Sequence, residues 1–141
     1  MATIKSHTDL GQSQRLAKIL NHESADMYYQ YVLPKSGKIM HNPKIGNPIN
    51  ALEWYNKGYT TSGKEPITLD EYCVPCWSLA ALLNYLKSKN KFPEIKELSD
   101  GRFKLTTYIW DGEHCIQVSI GDTIVDACCE LILKLHELKM L

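Results

Sequence analysis

The sequence predicts an α+β fold in a single domain spanning 1–141: a small antiparallel sheet built on a β-hairpin at 103–120, with helices packed on one face. Two observations carry that expectation. Residues 103–110 and 114–120 are rich in β-branched and aromatic side chains and flank Asp111-Gly112, a pair suited to a type I′ turn. On either side of them, at 79–86 and 124–138, apolar residues return every three or four positions, the spacing of an amphipathic helix.

Taken in order, Thr8 is a suitable N-cap for a first helix beginning Asp9-Leu10, with Leu10, Leu16, Ile19 and Leu20 near one face. Gly11 weakens its first turn by roughly 1 kcal/mol relative to alanine. The run Met27-Tyr28-Tyr29-Gln30-Tyr31-Val32-Leu33 reads as a strand closed by Pro34. Residues 35–66 carry Gly37, Pro43, Gly46, Pro48, Gly58, Gly63 and Pro66, and read as a long irregular loop region with a brief helix near 48–55. A loop of that length is a candidate binding surface.

At Cys73-Val74-Pro75-Cys76-Trp77-Ser78-Leu79 two cysteines run into an apolar stretch, and Pro75 is expected to start a helix carrying Leu79, Leu82, Leu83 and Leu86. Residues 94–98 are ambiguous. In the hairpin, alternation places Phe103, Leu105, Thr107 and Ile109 on one face of the first strand. In the second, Cys115, Gln117 and Ser119 oppose Ile116, Val118 and Ile120. Asp122 or Thr123 caps the last helix, whose stripe is Ile124, Cys128, Leu131, Leu135 and Leu138.

Charge and composition exclude several classes. Sixteen basic residues balance sixteen acidic ones, so there is no electrostatic footprint for nucleic acid. No run approaches the ~18 apolar residues of a membrane span, and the N-terminus has no apolar leader, so the expected location is the cytoplasm. Five cysteines, an odd count, suit reduced thiols better than a disulfide framework.

The chemical candidates centre on Cys73 and Cys76. A thiol at a helix N-terminus is acidified and reactive, and Cys-x-x-Cys is also a zinc-ligand spacing. Against redox chemistry, residues 69–72 are not the buried strand that a thioredoxin-like motif follows. Against zinc, neither Cys128-Cys129 nor His114-Cys115 readily supplies two further ligands, because neighbours on a helix or strand point apart. His7, His22, His41 and His136 fall at termini or loops, no phosphate-binding glycine loop is present, and Asp122 and Asp126 read as helix-cap acids. Tyr28, Tyr29 and Tyr31 suit sheet packing better than base stacking at zero net charge.

Three blocks together resemble a family of small, uncharacterised proteins encoded by bacteriophages and prophages of gut bacteria. They are 8–27 with Gln12-Ser13 and Ala25-Asp26-Met27, Val74-Pro75-Cys76-Trp77-Ser78-Leu79 with Ala81-Leu82-Leu83, and Val125-Asp126-Ala127-Cys128 with Glu130 and Ile132-Leu133-Lys134-Leu135. The resemblance implies a phage or prophage accessory protein in the bacterial host cytoplasm, and brings no activity with it. Gly11 stands where the family tends to have an acid, 35–66 is long for it, and its equivalent of Cys76 is sometimes alanine, which argues against an essential thiol.

The leading expectation is therefore a non-enzymatic protein that binds a host or phage macromolecule or associates with itself as a homo-oligomer. It has no catalytic or cofactor-binding residues, no cofactor, and no nucleic-acid or membrane partner. Cys73 and Cys76 as a thiol-redox or zinc pair, and a small-ligand pocket roofed by 35–66, are the alternatives. The expected structural core is Trp77, Leu82, Leu83, Leu131 and Leu135.

Overall fold

The computed structural model describes residues 5–110 and 114–141, and the predicted Asp111-Gly112 turn lies outside them. Among the described residues, five helices and two three-stranded antiparallel sheets give the α+β class. The chain gathers into two compact units, Asp9–Trp77 and Ser78–Leu141, the latter including residues up to Thr8.

The first unit runs α1 (Leu10–Ala17), a 3-10 turn (His22–Ser24), β1 (Met27–Gln30), β2 (Lys44–Ile45), α2 (Pro48–Thr61), α3 (Leu69–Tyr72) and β3 (Cys73–Cys76). Asp9, not Thr8, caps α1. Its Oδ1 accepts from the Gln12 N–H at 2.8 Å, and Gln12 Oε1 accepts from the Asp9 N–H at 3.1 Å, a reciprocal box. β1 ends at Gln30, short of the predicted Leu33. The chain turns back through Lys35 and Gly37 at positive φ, the Val32 N–H donates to Lys38 O, and Val32 and Leu33 are exposed.

Within 35–66, the brief helix expected near 48–55 is longer than predicted: α2 has 14 residues and runs to Thr61. Pro48, read as punctuation, occupies the first helical position, where its missing N–H has no partner to lose. Asn47 Oδ1 accepts from the N–H groups of Ile49 (3.0 Å) and Asn50 (3.3 Å), so the start is capped. The return strand of chain is pinned in turn: the Asn56 side chain bonds both backbone groups of Ile67, at 2.9 and 3.0 Å.

The second correction concerns the cysteine motif. Cys73–Cys76 is a strand, pairing antiparallel with β1 in a sheet of order β2-β1-β3. Pro75 is tolerated there because β3 is an edge strand, where one absent N–H need not break the ladder. The helix begins only at Leu79, after Ser78 has taken the capping role, its Oγ accepting from the Ala81 N–H at 3.2 Å.

The second unit runs α4 (Leu79–Ser88), β4 (Glu94–Glu97), β5 (Phe103–Trp110), β6 (His114–Gly121) and α5 (Ile124–Glu137), with sheet order β4-β5-β6. The ambiguous segment at 94–98 is thus a third strand beside the predicted hairpin. Between β4 and β5 the Leu98 N–H donates to Arg102 O and the Gly101 N–H to Leu98 O, a tight hairpin that needs the positive φ of Gly101. Thr123 is the α5 cap, accepting from the Asp126 N–H at 3.1 Å, and the Asp126 carboxylate pairs with Lys5 Nζ at 2.6 Å.

One face of α5 is buried through Val125, Cys128, Leu131, Ile132 and Leu135, and it packs against β5 and β6. The approach is close. A Cβ on Gly121 would sit 2.5 Å from the Ala127 backbone nitrogen, so only glycine fits where β6 meets α5.

Candidate functional site

Along a strand, residues three apart point to opposite faces and stand about 10 Å apart, beyond the ~7 Å reach of a disulfide. Cys73 accordingly packs with Tyr28, Ile67 and Tyr72, while Cys76 packs with Tyr29 and Val74. One metal ion cannot be held by both, which removes the shared chemistry that their spacing suggested. Burial, with a smaller contribution from Asp70, pushes the Cys73 thiol up to about 12. Cys128, inside α5, is raised to about 12 by burial and by Cys129. At neutral pH these are protonated thiols, and it is the thiolate that attacks or ligates. Among the described residues no group of three or more His, Cys, Asp or Glu is placed to hold a metal.

The tyrosines behind them are packing groups. Tyr72 lies 6.0 Å from Tyr28 and 5.0 Å from Tyr55 between ring centroids, tilted against both, and burial raises its phenol well above the ordinary value. Tyr29 is raised to about 12, first by burial and then by Cys76.

Two open clefts share Gln14 and Tyr31 in this first unit. One, about 560 Å³, is lined also by Lys18, His22, Asp70 and Pro75. The other, about 530 Å³, is walled by Asp9, Tyr29 and the 37–41 segment. The candidate loop therefore contributes one wall through its first residues, while 48–61 forms α2.

The second unit presents a different kind of surface. Leu105, Thr107 and Ser119 are buried on the face of the β4-β5-β6 sheet that carries α5, and Ser119 Oγ donates to Ala127 O at 2.7 Å. The opposite face carries Tyr108, 49% exposed, with Ile116 at 54% and Ile120 at 44%. β6 is thus inverted relative to the usual pattern, small and polar side chains inward, isoleucines outward. The inversion follows from α5: Gly121 and Ser119 are small enough to admit the helix backbone at Ala127, and a branched side chain there is not.

The β4–β5 hairpin also sets which backbone groups of β6 face outward. Leu98 bonds Arg102, so in this register the even-numbered residues of β5 exchange backbone bonds with β4, and the odd-numbered ones with β6. On β6 that leaves the N–H and C=O groups of Ile116, Val118 and Ile120 directed away from the sheet. The Val118 carbonyl accepts from Lys134 Nζ at 3.1 Å, consistent with that phase. Beside this edge lies a groove of about 410 Å³, walled by Val118 and Ile120 on the strand and Glu130, Leu133, Lys134 and Glu137 on α5.

No family model, curated protein or solved structure matches this chain. Of the expected core residues, Trp77, Leu82, Leu131 and Leu135 are fully buried, and Trp77 Nε1 donates to Ser24 Oγ at 2.9 Å. Leu83 is only partly buried, because the inward face of α4 is centred on Ala81, Leu82 and Leu86. Sequence reading separated the two faces of β6 correctly but left open which faced the helix. The signal was Gly121 following Gln117 and Ser119 at a spacing of two.

Proposed function

We propose that this is a non-enzymatic binding protein, a phage or prophage accessory protein working in the host cytoplasm, that docks a protein partner on the bare face and edge of β4-β5-β6. The observation that carries this reading is the inversion of β6. It leaves Ile116, Ile120 and Tyr108 exposed on one face of a sheet whose other face is covered by α5 at β5 and β6. A row of apolar side chains beside unpaired strand groups is the surface used for strand addition and sheet docking. The balanced charge supports a protein rather than a nucleic acid as partner. No described helix is long and apolar enough to cross a membrane. The buried, divided thiols lend no support to redox or zinc chemistry at Cys73 and Cys76.

The test is affinity capture, from host extract that also contains the untagged chain, with the tagged protein and with Ile116→Lys/Ile120→Lys. The wild type is expected to recover one consistent protein, and the variant to lose it with an unchanged circular dichroism spectrum. Capture that ignores both isoleucines, or a stoichiometric metal or small molecule in native mass spectrometry, overturns the reading.

A further inference from the structure

We infer that the partner of the β6 edge is a second copy of this chain, paired antiparallel through β6 about a two-fold axis at Val118. The inference rests on the reading of this face as a binding surface and names its occupant. Its first support is the strand's own sequence. Ile116-Gln117-Val118-Ser119-Ile120 reads apolar, polar, apolar, polar, apolar about its centre. Antiparallel self-pairing about Val118 therefore sets Ile116 against Ile120 of the second copy, Val118 against Val118, and Gln117 against Ser119. Every outward-facing position meets an apolar residue and every helix-side position a polar one.

Backbone phase agrees with this register. The residues whose N–H and C=O groups point outward are Ile116, Val118 and Ile120, and these are the ones that would exchange bonds across the axis. The helix row is compatible as well. Lys134 lies between Glu130 and Glu137 along the groove, so an antiparallel copy of α5 on the same face of the joined sheet offers acids on either side of each lysine. Leu133, partly buried, sits between them.

The two edges of the sheet differ in the way this predicts. β4 is exposed along its whole length and reads Glu94-Ile95-Lys96-Glu97, the charged composition that discourages strand addition. β6 carries no charged residue from Cys115 to Gly121. Joining two β6 strands leaves β4 at both outer edges, so the assembly closes as an isologous dimer instead of extending. Lys134 is bonded to the Val118 carbonyl on this edge, and pairing would exchange that bond for the acids of the second copy.

Sedimentation equilibrium over a concentration series, on the full chain, tests this directly. The wild type is expected to show a monomer–dimer equilibrium. Val118→Pro removes only an outward N–H and should give monomer. Should Val118→Pro fail to fold, Val118→Cys with Cys115→Ser provides an independent reading. Directly opposed, bonded residues have Cα atoms about 5.5 Å apart, within the ~4.4–6.8 Å span of a disulfide, so mild oxidation should give a covalent dimer.

A wild type that stays monomeric at its highest soluble concentration, with no crosslink through residue 118, overturns self-pairing. If capture of another protein still depends on Ile116 and Ile120 in that case, the binding-surface reading stands and only the occupant was wrong. If that dependence is also missing, both fall.

Discussion

The two sheets have three strands each and handle their faces in opposite ways. In β2-β1-β3, Tyr28, Tyr72 and Cys73 are buried on one side with Leu52 and Tyr55 of α2, and Tyr29, Val74 and Cys76 on the other with Leu10 of α1. In β4-β5-β6 only the α5 side is filled, and the other carries exposed isoleucines. The lesson concerns where chemistry can reside. A cysteine pair enclosed on both faces is divided and kept protonated, whatever its spacing, whereas a half-covered sheet leaves backbone and side chains able to meet a partner.

Trp77→Ala breaks the comparison most severely. The indole is fully buried just after β3, with its one donor satisfied by Ser24, so truncation leaves a cavity and removes that bond. A loss of about 3–5 kcal/mol is expected in urea denaturation. A loss below about 1 kcal/mol would mean that the enclosed sheet does not depend on that anchor.

Gly121→Ala sharpens the other side of the comparison. The added methyl would meet the backbone at Ala127 and Asp126, where no flexible side chain can yield, and overpacking of this kind costs about 1–3 kcal/mol. Because α5 would be pushed from β6, hydrogen exchange should rise at both elements while β1 and β3 stay protected. Unchanged exchange along β6 would show that the close approach does not set the inversion of that strand.

How much of this was legible in the sequence depends on what kind of signal each part carries. The hairpin strands and the stripe of α5 were readable because periodicity is a local property, repeated over eight or more residues. The cysteine segment was misread because Pro75 is equally at home at a helix start and on an edge strand, and only the pairing with β1, nearly fifty residues away in sequence, selects between them. The start of α2 at Pro48 is legible, whereas Gly58 inside the helix hides its continuation to Thr61. For the binding face, alternation separated Ile116, Val118 and Ile120 from Gln117 and Ser119. Which set faced α5 was decided by a contact between Gly121 and Ala127 that no periodicity encodes.

The smallest effect near neutral pH, and the most specific probe of the enclosed sheet, is the alkaline limb of stability. Cys73 has an ordinary value near 9.0 and is pushed up to about 12 by burial in the folded chain, and Cys128 behaves alike. Both folded values lie above the unfolded ones, so the unfolded chain loses protons first as pH rises. The stabilisation is fully present below about pH 9 and is lost progressively between about 9 and 12. Cys73→Ala and Cys128→Ala should each flatten that limb. At pH 7 they should cost no more than the loss of a small apolar side chain. A Cys73→Ala profile that still falls as steeply as the wild type would mean that this thiol already ionises in the folded protein. In that event the enclosed sheet, and not only the open one, would have a reactive group to offer.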